Sequence, residues 1–175
     1  DTAVLKSAVL RANSQVLSAA AGNSSYEGMG STATVLHIDE SAGMAYYAHV
    51  GDSRLYLLRR GVFRQVSRDH SYVEELVARG ELSEEEAQHH PRKNLLLRAV
   101  GIEEHLHVDG DSFPLETGDR LLLTTDGLTN MVDDDALASL LGGEFSDVAK
   151  RMAERALAGG GSDNITAIAI AYEMP

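Results

Sequence analysis

Apolar residues recur at helical spacing along the first stretch of the chain. Val4, Leu5, Ala8, Val9, Ala12, Val16 and Leu17 form one stripe, so a helix is predicted over Asp1–Ala20, closed by Gly22-Asn23. A polar, glycine-bearing loop follows to Gly30. The pattern then shortens to β-branched and aromatic runs, which predict strands at Ser31–Ile38, Met44–Val50, Arg54–Leu58 and Val62–Val66. Their spacers (Asp39–Gly43, Gly51–Ser53 and Arg59–Gly61) are short enough to join antiparallel neighbours.

The next segment, about 68–98, is charged and short-helical. Ser71 can cap a helix bearing Val73, Leu76 and Val77, with Gly80 just past its end. Ser83-Glu-Glu-Glu86 is a capping box for a second helix, which His90-Pro91 ends. The segment reads as a surface subdomain, or more plainly as a helical connection between sheets. Strand character returns at His107–Phe113 and Arg120–Thr125, on either side of a turn at Pro114–Gly118. Asp133-Asp-Asp135 opens a helix through Leu141, its acids facing the positive end of the helix dipole. A helix over Ser146–Ala158 and a last strand over Ile165–Tyr172 complete the pattern. Strands in blocks with helices between them, and no internal repeat, predict an α+β fold with antiparallel sheets.

The 175 residues fit one domain, able to bury roughly 70% of the unfolded surface. The net charge of −12 argues against nucleic acid as a partner, since that calls for a basic face. No cysteine is present, which excludes disulfides, zinc–thiolate sites and thiol nucleophiles. No apolar run reaches the roughly 20 residues of a bilayer span, and no signal peptide opens the chain, so a cytoplasmic protein is expected.

Three aspartates stand at the ends of strand-like runs. Met44–Val50 leads into Asp52, and Arg120–Thr125 leads into Asp126. Asp163 leads out into Ile165–Ile170. Each alone is an ordinary turn residue, but three carboxylates on rigid strand ends suggest a site for hard divalent cations. Gly28-Met-Gly30-Ser31 lacks the later glycine of a nucleophile elbow, and no phosphate-binding glycine loop is present. Asp133–Glu144 lacks the ligands and central glycine of a calcium loop. The seven histidines are scattered, and only His89-His90 are adjacent, which gives no convergent pair on a helix. Carboxylates without cysteine or clustered histidine select magnesium or manganese over zinc. Such ions activate a bound water and clamp phosphoryl oxygens, so no side-chain nucleophile is needed.

In this order the motifs resemble the metal-dependent protein serine/threonine phosphatases of the 2C type. They are Ala12-Asn13, Gly28-Met-Gly-Ser-Thr-Ala33, Ala48-His-Val-Gly-Asp-Ser-Arg54, Asp69-His-Ser71, His90-Pro91 through Asn94–Gly101, Leu123-Thr-Thr-Asp126-Gly-Leu-Thr129 and Gly161-Ser-Asp-Asn-Ile-Thr166. The wording of Tyr72–Ala87 is similar to the bacterial branch that opposes serine/threonine kinases. The resemblance implies a sandwich of two antiparallel β-sheets flanked by α-helices, with a flap over 68–98 shaping substrate access around Asp69–Arg98. It implies two Mn2+ or Mg2+ ions held in part by Asp126 and Asp163, and a weaker third ion held by Asp52 with Asp126. It implies phosphorylated proteins as substrates, among them serine/threonine kinases and their targets.

The family's amino-terminal block, with its bridging Asp and phosphate-binding Arg, has no counterpart in these residues. The chain therefore reads as a single phosphatase 2C-like domain over 1–175, amino-terminally truncated. Two functions follow: a phosphatase acting on phosphoserine and phosphothreonine through a metal-activated water, or a non-catalytic phosphatase-like module that binds a phosphoprotein. The first-strand Asp is what separates them.

Overall fold

A computed structural model describes residues 1–174. Its strands form two sheets, one of order β1-β2-β5 and one of order β4-β3-β6-β7. The strands are β1 (Ala33–Asp39), β2 (Met44–Val50), β3 (Arg54–Arg59), β4 (Val62–Gln65), β5 (Ser112–Pro114), β6 (Arg120–Thr124) and β7 (Ala167–Ala171). The first four match the predicted runs closely. Gly51–Ser53, however, does not join neighbours: β2 and β3 belong to different sheets, because β3 takes β4 and β6 as its partners. The strand expected at His107–Phe113 shrinks to Ser112–Pro114. Ahead of β5, which pairs with β2, Asp109 and Asp111 accept from His49 N–H (2.8 Å) and Tyr47 N–H (2.9 Å) without forming a continuous strand. Gly110 between them offers no side chain to hold a continuous pleat.

By its contacts the chain divides into two compact units. The first comprises Asp1–His37, Tyr46–Asp52 and Arg68–Ser112. Its helix α1 (Thr2–Gly22) is N-capped by Asp1, whose carboxylate accepts from Ala3 N–H at 2.8 Å. Val9, with Leu5 and Val16 beside it, packs on Ala48, Val50, Val100, Leu106 and Val108. Asn13 on the same helix is buried, with both ends of its amide in use. It donates to Glu103 O (2.8 Å) and accepts from Gly101 N–H (2.6 Å). The expected flap helices are present as α2 (Tyr72–Ala78) and α3 (Glu84–His89). Ser71 caps the first, and Ser83 with Glu86 forms the capping box of the second.

The second unit comprises Ile38–Ala45, Ser53–Ser67 and Phe113 onward. Arg60 and Gly61, with φ of 51° and 79°, make the two-residue turn between β3 and β4. Positive φ at both positions matches the right-handed twist of the flanking strands. β6 lies between β3 and β7 and is antiparallel to both, with Leu55 opposite Leu123 and Leu123 opposite Ile168. Leu121 and Leu122 are both fully buried, which is why this strand reads as an unbroken apolar run. Tyr56, Leu58 and Leu122 share a core with Leu137 and Leu141 of α5 (Asp134–Gly142) and Met152 and Ala156 of α6 (Val148–Ala158). Buried Asp119 is held by Arg59 through a two-pronged pair, Nε–Oδ1 at 2.8 Å and Nη2–Oδ2 at 2.6 Å.

Candidate functional site

The backbone segments that carry Asp126 and Asp163 adjoin at one end of β6. The strand stops at Thr124, one residue earlier than the apolar run suggests, because Thr125 becomes the N-cap residue of a one-turn helix, α4 (Asp126–Thr129). Thr125 also ties β6 to the segment entering β7. Its N–H donates to Thr166 O (3.1 Å), its Oγ1 donates to Asn164 O (3.3 Å), and that oxygen accepts from Thr166 N–H (3.0 Å). Thr124 Oγ1 adds a bond to Thr166 O at 2.8 Å.

This lacing brings Gly127, which is buried, hard against the Asp163–Asn164 backbone. A Cβ at position 127 would lie 2.9 Å from Asn164 C and closer still to its carbonyl oxygen, below the 3.0 Å that real Cβ atoms keep. Glycine is required there for close approach rather than for its φ. The two carboxylates thus spring from touching backbone segments. Asp126 is half-buried and its Oδ2 accepts from Asn130 Nδ2 (3.1 Å). Asp163 is exposed and its Oδ1 accepts from Asn164 N–H (2.7 Å).

Asp52 belongs to the first unit, in the turn that ends β2. Its neighbour Gly51 has φ +106°, and a Cβ there would collide with Thr32. Two bonds clamp this turn to the start of the 68–98 segment: His70 N–H donates to Gly51 O (2.8 Å), and Gly51 N–H donates to His70 Nδ1 (3.1 Å).

His70 and His49 are the residues that sequence reasoning passed over. They lie twenty-one positions apart, yet their rings sit 4.9 Å apart, while the adjacent His89-His90 form no such pair. Burial, then the facing His70, lowers the His49 pKa from 6.5 to about 4. Its Nε2 faces Arg68 O (3.0 Å) and its Nδ1 faces Thr34 Oγ1 (2.9 Å). The signal available beforehand was the pair of motifs containing them, Ala48–Arg54 and Asp69-His-Ser71.

As a test of fit to a divalent ion, Asp126 and Asp163 are hard oxygen donors on rigid, adjoining backbone, which suits magnesium or manganese. Among the described residues, however, no three His, Cys, Asp or Glu side chains converge to hold a metal ion. The pair fits as part of a ligand set and does not complete one.

Comparison with known proteins gives a consistent family. Residues 1–76 match protein phosphatase 2C. The serine/threonine phosphatase stp of Listeria monocytogenes is 39% identical over 172 residues, covering 97% of this chain and 68% of that protein. The Streptococcus agalactiae serine/threonine phosphatase structure superposes with a TM-score of 0.87 at 35% identity, over 97% of this chain and 69% of that one. The catalytic domain of the phosphatase PstP, solved in complex with two manganese ions, gives 0.86 at 34% identity, over 96% and 70%. The chain thus spans about two thirds of the length of these relatives.

Proposed function

This chain belongs to the protein phosphatase 2C family, and from that premise we propose that it acts in hydrolysis of phosphoserine and phosphothreonine on proteins. The observation that carries the reading is the junction of Asp126-Gly127 with Asp163-Asn164, within a chain 39% identical to a serine/threonine phosphatase. Asp126 and Asp163 are the proposed ligands of Mn2+ or Mg2+, and the two-manganese relative favours manganese. For Asp52 the resemblance alone supplies a ligand role. Such ions, when bound, acidify a water and neutralise phosphoryl charge. The chain's own part is positional. The Thr124 and Thr125 bonds hold the two carboxylates on a fixed strand end, and the 68–98 flap, with Leu95 and Leu97 exposed, shapes access for protein substrate.

The proposed substrates are serine/threonine kinases and their targets, in the cytoplasm where such kinases find ATP. No helix among the described residues is long and apolar enough to cross a membrane.

A second reading, a phosphoprotein-binding module without turnover, is favoured by the incomplete ligand set among the described residues. Phosphate release from a phosphothreonine peptide, paired with calorimetric manganese titration, separates the two. Catalysis predicts manganese-dependent release, abolished by EDTA and cut by two orders of magnitude or more (roughly) in Asp126→Asn and Asp163→Asn. Peptide binding with no release would establish the module, and release surviving excess EDTA would overturn the metal mechanism.

A further inference from the structure

We infer that His70 latches the flap to the Gly51–Asp52 turn in its neutral form, with the proton on Nε2, and that a second proton on the ring releases the latch. Gly51 N–H can only donate, so His70 Nδ1, 3.1 Å away, must be the unprotonated nitrogen. An imidazolium carries N–H groups on both nitrogens, which would set two donors against each other and leave the Gly51 amide unpaired.

The position of this ring makes the loss consequential. The two ends of the flap pair beside it: Leu97 N–H donates to His70 O (2.8 Å), Tyr72 N–H donates to Leu95 O (2.8 Å), and Ser71 bridges Leu96. With Nδ1 withdrawn, this clamp loses its side-chain half, and the backbone bond from His70 N–H to Gly51 O remains.

The charged and titratable groups around the ring pull in both directions. Asp109 Oδ2 lies 3.1 Å from His70 Nε2 and favours the imidazolium, as does Asp69. Arg98 and His107 share the Asp109 carboxylate at 3.2 and 3.3 Å, and Arg98 opposes a positive ring. The His49 ring lies 4.9 Å away, tilted by 41°. Its Nε2 donates to Arg68 O and its Nδ1 faces Thr34 Oγ1, and burial holds it neutral. Arg68 itself is occupied by Glu74 at 2.9 Å. Burial outweighs the acids, and the His70 pKa lies below its ordinary value. A small polar hollow in the first unit is lined by His70, Arg68, Arg98 and Asp109.

Release of the latch changes flap dynamics, which are measurable without any phosphatase assay. Amide exchange of the full chain, followed by NMR from pH 7 to 5 and corrected for intrinsic rates, tests it. Protection of Gly51 and Leu97 is expected to fall by roughly ten- to a hundredfold, with the midpoint of the His70 ring titration. In His70→Asn, Oδ1 stands where Nδ1 was and cannot be protonated, so protection should stay flat. Flat protection in the parent chain, or an equal fall in the variant, would overturn the latch. Should the variant not fold, ring 15N shifts of the parent decide the question. A neutral Nε2–H tautomer whose titration moves the Gly51 amide supports the latch. The opposite tautomer, or a titration that leaves Gly51 unmoved, refutes it.

Discussion

Gly127→Ala tests the junction at its narrowest point. Intrinsic helix preference favours alanine over glycine by about 1 kcal/mol, and Gly127 is not among the residues with positive φ, so the backbone accepts the change. Space does not. The new Cβ would fall more than about 1 Å inside the ordinary 3.4 Å contact with the Asn164 carbonyl, and the obstacle is backbone rather than a flexible side chain. Overpacking of a buried site costs about 1–3 kcal/mol, and a backbone obstacle puts this one at about 2–3 kcal/mol; against the helix preference, a net loss of about 1–2 kcal/mol is expected. For a chain of this size that lowers the melting temperature by roughly 2–8 °C.

The chemical consequence should exceed the thermal one. Separating Asp126 from Asp163 by about 1 Å is expected to cost on the order of a hundredfold in phosphate release. Manganese affinity should fall with it. Gly22→Ala, at the end of α1 where nothing lies within 4 Å, is the matched control and should be neutral or slightly stabilising. A Gly127→Ala protein with unchanged melting temperature, manganese affinity and turnover would refute the claim that this close approach sets the carboxylate pair.

Two further outcomes are expected. Arg59→Leu strips buried Asp119 of its two-pronged partner, leaving it the Glu116 N–H (2.8 Å), and should cost about 3 kcal/mol by urea denaturation; the double replacement with Asp119→Leu should recover much of that. Stability should also fall as pH drops from about 6.5 to about 4. Over that window the unfolded chain takes up protons that folded His49 and His70 refuse, His49 alone accounting for about 3 kcal/mol. Urea midpoints at pH 7.5, 5.5 and 4.5 check this, and His49→Gln should flatten the slope.

Local physics was legible in the sequence. The caps at Ser71 and Ser83, the Arg60-Gly61 turn and the apolar β6 run each depend on a few neighbouring residues, and each appears where those residues demand. Asp126, Asp163 and Asp52 could be picked out because strand ends announce themselves. Tertiary structure alone decided what meets what. That β2 and β3 part into different sheets, that Gly127 abuts Asn164, and that the His49 and His70 rings meet are consequences of chain crossings between residues twenty or more positions apart. Periodicity carries no information about such crossings, since it records which face of an element is buried and not against whom. The scattered histidines show the limit plainly. Two of the seven form a buried pair at the flap root because β2 and the 68–71 segment are hydrogen-bonded side by side, a pairing that no spacing rule along the chain could express.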